Sequence, residues 1–484
     1  MRRLVCALMM GAALSGCTLE PHYARPIAAV PQSWPVGEAY PKAPAPPLPS
    51  LNYRDVFKDP HLQAIIVRAL ADNQDLEVAM ANVVIARSQY RVQRAALLPL
   101  VTANGEAIQT HDRIEVAKPG GGTTSQPQTT RSYLADVGFS TFEIDVFGAI
   151  RSLTHAAQQQ YFASQAGVHQ ARLTLVAEVA DAYLTLATDR SLLAIAKDTV
   201  ASASKTTELT QARLKGGVAP RTDLRQAQTV LEQANSDVAN LTTLVAQDRN
   251  ALELLVGAPV SDADLPASIE AVDGFLAEVP AGLDSKILLR RPDVVQAEYK
   301  LRAANAQIGA ARANFFPIID LTALPGAASP ALGALFNGQN FNWTTTGSAT
   351  QTLFAGGANI ANLAEAKGQK RLAVAQYQQA IQAAFRDVAD ALARRGTIAD
   401  QLKAQNNLVD DASDELTLAE ARYREGVDPF LNTLDAQRTL YGARQTLAST
   451  RLTRADNLVS LYRALGGDEL IDAAPLKGPP TSAR

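Results

Sequence analysis

The sequence predicts a mainly α protein with a small β part, built as two copies of one unit. Three observations predict it: ordered Gly, Pro and Arg positions that recur at a fixed offset, two proline-free runs of helical pattern, and two pairs of segments with period-two alternation. Composition agrees. Of 484 residues, 47% are hydrophobic but only 6% aromatic, so alanine and short aliphatics carry the apolar content. That is too apolar for disorder and too poor in aromatics for a set of packed β domains. Lys+Arg 45 against Asp+Glu 48 leaves a net charge of −3, with no surplus to neutralise phosphates. Nucleic acid is excluded as the main partner.

Residues 1–16 read as a signal peptide. Arg2 and Arg3 precede an apolar stretch, Leu4 to Leu14, too short to span a bilayer as a mature helix. Leu14-Ser15-Gly16-Cys17 resembles the bacterial lipobox, which implies that Cys17 becomes the acylated first residue. Thr18 is not aspartate, which in that family implies sorting to the outer membrane. Cys6 leaves with the signal, so one thiol remains and no internal disulfide can form. Loss of Arg2 and Arg3 takes the net charge from −3 to −5. No other stretch is apolar for long enough to be a spanning helix, so a membrane crossing would need strands. Residues 17–58, proline-rich from Pro21 to Pro49, are expected to be an extended tether without a core.

The repeat covers residues 59–257 and 286–466, joined by a linker at 258–285 and followed by a tail at 467–484. A shift of 209 puts Val179-Ala180-Asp181-Ala182 on Val388-Ala389-Asp390-Ala391, Gly217-Val218 on Gly426-Val427, Pro220 on Pro429, and Gly257 on Gly466. Upstream a shift of 218 puts Asp75 on Asp293, Arg94 on Arg312 and Pro99 on Pro317. The nine-residue difference falls in one loop.

In each copy a first helix leads to a strand pair, a very long helix, a turn and a returning helix. Asp59-Pro60 is an N-cap with proline at the first helical position, and the apolar spacing predicts one helix from there to about Leu97. Ala149 to Leu214 holds 66 residues without proline. At 1.5 Å per residue that is a helix of ~100 Å, and Ala358 to Glu425 repeats it. The turns at 215–220 and 425–429 place glycine past a helix end and proline at the next start. Such a hairpin cannot bury two stripes alone and needs neighbours.

The strand pairs lie at 99–142 and 317–352. Val101, Ala103, Gly105 and Ala107 alternate with Thr102, Asn104 and Glu106, and Phe341, Trp343 and Thr345 alternate with Asn342, Thr344 and Thr346. Lys118 through Thr130 is polar and Gly-rich and reads as a mobile loop. The alternation alone also fits a small soluble sheet with one wet face. With an outer-membrane address it fits a barrel. Four strands cannot close one, so two chains would share eight strands or three would share twelve.

The chain resembles the outer-membrane efflux factors, the TolC-like family, and its lipidated OprM/NodT branch. The resemblance rests on the lipobox, the repeat, Phe142-Glu143-Ile144-Asp145-Val146-Phe147-Gly148, Arg290-Arg291-Pro292-Asp293-Val294 and Phe315-Phe316-Pro317. It rests further on Arg422 to Asp428, Leu434-Asp435-Ala436-Gln437-Arg438, and Leu461 to Gly467. It implies a homotrimer in which four strands per chain contribute to a shared transmembrane β-barrel and long antiparallel helical hairpins form a periplasmic α-barrel. It implies a passive conduit for drugs or other small molecules, with a periplasmic adaptor and an inner-membrane RND-type pump as partners. No cofactor is implied beyond N-acyl and S-diacylglycerol lipid on Cys17. The adaptor-docking tips would be Gly216, Gly217 and Val218 with Gly426, Val427 and Asp428. Leu431, Asp435 and Arg438, at spacings of four and three on one helix face, match the family's periplasmic aperture, with Arg438 of the same or a neighbouring chain as partner of Asp435.

No catalytic or metal constellation is expected. His155 and His169 lie ~21 Å apart along one helix and cannot share a metal. Gly120-Gly121-Gly122 lacks the Lys-Ser/Thr of a phosphate loop. Asp410, Asp411, Asp414 and Glu415 read as a solvated or lumen-facing patch rather than an acid/base pair. Two other transport readings stand beside the channel, a lipoprotein adaptor and a type I secretion exporter. An adaptor would need lipoyl-like and soluble β domains. A lipoprotein enzyme is a third class, and it lacks a site.

Overall fold

The computed structural model describes residues 18–27, 30–31, 33–41, 52–117, 119–272 and 285–471. Cys17 lies outside them, as do the signal peptide and residues 42–51. The elements are α1 (Pro60–Asp72), α2 (Gln74–Ala95), β1 (Thr102–Ala117), β2 (Thr123–Glu143), α3 (Ala149–Lys215), α4 (Arg221–Val256), α5 (Pro292–Ala313), β3 (Ile318–Ser329), β4 (Phe341–Thr350), α6 (Ala358–Arg424) and α7 (Phe430–Ala464), with short helical turns between some of them. Contacts divide the chain into two compact units. One holds residues up to Pro26, 84–162 and 298–375; the other holds 27–83, 163–297 and the residues from 376 on.

The first unit is organised around an antiparallel sheet of order β1-β2-β3-β4. Asn104, Asp136, Gly326 and Asn342 stand in register on one face, and Ala135, Ala327 and Phe341 on the other, so the alternation read from the sequence is the real division of the sheet. β1 and β4 each pair on one side only within the chain. The stretch expected as a loop from Lys118 to Thr130 is mostly strand. Pairing runs without a break from Thr102↔Gly138 to Ala117↔Thr123, which leaves a turn of only a few residues. Its Thr, Ser and Gln residues suit a pleated edge, and Pro127 is tolerated because β3 pairs β2 only from Tyr133 onward.

The second unit carries the helical core. Leu62, Ile65, Ile66, Tyr183, Leu184, Leu186 and Tyr462 are all at or below 1% exposure, and Phe57 meets Tyr462 edge-on at 5.4 Å. Asp59 caps α1 through His61 N–H (2.8 Å) while its second oxygen accepts from Tyr183 Oη (2.8 Å). The single helix expected from Asp59 to Leu97 is two helices. Asn73 has extended ψ (129°), caps Leu76 N–H with its Oδ1 and donates its Nδ2 to Leu255 O, so tertiary partners hold the break open. α3 and α6 each run 67 residues, ~100 Å. Arg291, 6% exposed, reaches Asp293 at α5's start and donates to Ala464 O, one of α7's last carbonyls. Among the described residues no helix is long and apolar enough to cross a membrane.

Candidate functional site

Both long helices end in one hydrogen-bonded turn. Gly217 (φ +75°) donates to Leu214 O and Val218 to Arg213 O, each at 3.0 Å. Gly426 (φ +76°) donates to Tyr423 O at 3.0 Å and Val427 to Arg422 O at 2.9 Å. Only glycine takes that φ freely, and Pro220 and Pro429 then open the return helices. Val218 and Val427 are 68% and 62% exposed, apolar side chains held at the surface of a rigid turn. Asp428 accepts from Arg422 through both oxygens (2.6 and 3.0 Å). That hydrogen bond, then the opposite charge, holds the Asp428 carboxyl below its ordinary range.

Side chains tie the α6–α7 hairpin to the α3–α4 hairpin. Arg213 lies over the Tyr423 ring at 4.6 Å and donates to Tyr423 O. Tyr423 and Phe430, ring centroids 5.3 Å apart, form a buried cluster with Ala227 and Leu434. Further along, Gln437 Nε2 donates to Thr206 Oγ1 (3.0 Å) and Tyr441 Oη to Asp237 Oδ2 (2.7 Å). A polar cavity of about 270 Å³ opens between the hairpins, with Asp198, Glu420 and Arg444 among its walls. None of these ties was legible in the sequence. The single available signal was that Tyr423 and Phe430 have Leu214 and Arg221 as their counterparts in the first copy.

Leu431, Asp435 and Arg438 all stand exposed on one side of α7, while Leu434, Ala436 and Gln437 between them are buried. No ion pair or hydrogen bond joins Asp435 to Arg438 within the chain. Of the two partners expected for Asp435, Arg438 of the same chain does not reach it here, because a three-residue helical offset does not bring the two heads together. Asp410, Asp411, Asp414 and Glu415 are exposed. His155 pairs with Glu20 at 2.9 Å and His169 with Glu469 at 2.6 Å, and no metal-ligating cluster occurs among the described residues.

Sequence reading also missed two facing carboxylate pairs in the helical unit. Burial raises Asp181 on α3 to about 6, against the attraction of Arg463. Burial and then Asp181 raise Asp456 on α7 to about 7. Burial and then Asp189 raise Asp248 to about 6.

The model of the outer membrane efflux protein family matches residues 65–258 and 283–467, both copies of the repeat. The chain belongs to that family. It is 42% identical over 94% of its length to a probable efflux pump outer membrane protein, TtgC, of Pseudomonas putida, covering 93% of that protein. It is 36% identical to the outer membrane protein OprJ of Pseudomonas aeruginosa, over 96% of this chain and 95% of that one. The MtrE outer membrane channel of Neisseria gonorrhoeae, solved in an open state, superposes with a TM-score of 0.81 at 36% identity over 94% of this chain and 99% of that one. This protein is therefore the outer-membrane channel component of a tripartite efflux system in a Gram-negative bacterium.

Proposed function

We propose that the α7 face of Leu431, Asp435 and Arg438 is the aperture of this efflux protein, and that the turns at Gly216, Gly217, Val218 and Gly426, Val427, Asp428 are where the adaptor docks. One observation carries the aperture: Asp435 and Arg438 are close in sequence, exposed and without an ion-pair partner among the described residues. In a trimer three such carboxylates facing a common axis repel one another unless the guanidinium of a neighbouring copy bridges them. Docking at the turns is supported by the exposed Val218 and Val427 on rigid glycine-closed ends. The protein contributes a passive path, with no catalytic step and no cofactor, and is anchored by lipid on Cys17. Relatives named for toluene and for antibiotics support small organic molecules as cargo.

The test is single-channel conductance of purified trimers. Asp435→Ala with Arg438→Ala is expected to raise conductance and to sensitise cells to large antibiotics while trimers persist. Unchanged conductance in the folded double variant places the constriction elsewhere. Bulky substitutions at Gly217 and Val427 that leave both trimers and drug resistance intact would refute docking at the turns.

A further inference from the structure

The segment expected to be a free tether is bolted to a helix. Residues 19–25 have no helix or strand of their own, yet they meet α5 in strict reverse order. Arg312 Nη1 donates to Leu19 O (3.0 Å), and Asn305 Nδ2 donates to Pro21 O (2.7 Å). Tyr23 Oη donates to Glu298 Oε1 (3.2 Å), and Arg25 donates to both Glu298 oxygens (3.1 and 2.8 Å). Six extended residue steps cover ~20 Å, and the fourteen helical steps from Arg312 to Glu298 cover ~21 Å. The arm is drawn out along α5 with no slack.

The stripe that receives it is a built groove. Asn305 is 0% exposed and the Glu298 side chain 4%, so neither is an incidental surface contact. At Gly309 a Cβ would stand 2.9 Å from Glu20 N and Cα, so any other residue there would push the arm off. Arg302 donates to Glu298 Oε1 (2.6 Å) and lies over the Tyr23 ring at 5.1 Å. His155 of α3 holds Glu20 from the side at 2.9 Å. A buried carboxylate needs its cations, and one of the two that Glu298 has comes from the arm.

Arg312 lies six residues before β3 begins at Ile318, and Thr18-Leu19 follow Cys17 directly. Two residues of leash allow about 7 Å. We propose that the α5 stripe is an intramolecular receptor for residues 19–25 that fixes where the Cys17 lipid enters the bilayer, beside the foot of β3, and that membrane insertion of the sheet depends on this fixed reach. The proposal rests on the reading of Cys17 as acylated.

Two full-length variants test it. A Gly–Ser spacer of about eight residues between Thr18 and Leu19 adds up to ~26 Å of reach and leaves the groove untouched. Tyr23→Ala with Arg25→Ala opens the latch from the arm side without altering α5. Each is measured for N-terminal mass, proteinase K cleavage within residues 19–25, and recovery of trimers from outer-membrane fractions. Both are expected to keep the lipid mass and to lose trimer recovery severalfold, with unchanged conductance in the trimers that form. Cleavage within the arm should quicken at least about tenfold in the double variant alone. Parental recovery with the spacer overturns the role of fixed reach, and a still-protected arm in the double variant overturns the latch. An unacylated parental N-terminus defeats the lipid reading instead, and the cleavage data then judge the latch alone.

Discussion

Arg213 and Arg422 hold the same place in the two copies, 209 residues apart, and their side chains go to different partners. Arg422 closes on Asp428 within its own turn. Arg213 has Ala219 at the position matching Asp428, and it reaches out to Tyr423 of the second copy. The backbones of the two turns are the same down to their paired hydrogen bonds. Duplication thus preserved the reversal, and a handful of side chains made one hairpin the holder and the other the held. Phe430 is 1% exposed where its counterpart Arg221 is exposed, and Tyr441 finds Asp237 where its counterpart is Glu232.

The largest expected difference between the copies is at that first pair. Phe430→Ala empties a buried aromatic site and should cost about 3–5 kcal/mol of local stability, whereas Arg221→Ala should stay within about 0.5 kcal/mol. Hydrogen exchange across the two turns reads both, and equal effects would break the asymmetry. Gly217→Val and Gly426→Val should instead behave alike, each costing about 1–2 kcal/mol because a β-branched residue is forced to positive φ. A clear difference between those two, by thermal unfolding, would show that the turns are not equivalent.

What the sequence made legible follows the same division. Backbone punctuation was readable, since Gly217, Gly426, Pro220 and Pro429 act through local conformation, and the long helices end where those residues end them. Asn73 was not readable, because the break depends on Leu255 O, 182 positions away. Thr123 to Thr130 looked like loop by composition, and only pairing with β1 makes it strand. The proline-rich arm correctly showed no core of its own, but the groove that receives it lies on α5. The aperture face was legible as a spacing, and the ties behind it were not, since Arg213–Tyr423 and Tyr441–Asp237 join residues more than 200 apart.

A smaller contrast concerns the repeated aspartate. Asp181 is half-buried facing Asp456, while its counterpart Asp390 has a side chain 76% exposed. Asp181 and Asp456 are raised to about 6 and about 7, above their unfolded values. Their protonated forms therefore stabilise the fold in acid, and that contribution fades as pH rises through about 6 to 7. Thermal stability should fall from pH 5 to pH 8, Asp456→Asn should flatten the profile, and Asp390→Asn should leave it unchanged. A profile as steep in Asp456→Asn as in the parent would remove this pair from the account.

The second hairpin is held against the first by side chains the first copy does not use on itself. Single-channel conductance of Arg213→Ala and Arg422→Ala trimers, recorded side by side in planar bilayers, tests it most directly. Arg213→Ala should raise conductance by freeing the Tyr423 end of α6, and Arg422→Ala should leave it at the parental value. Equal changes in both, or a change in Arg422→Ala alone, would contradict it.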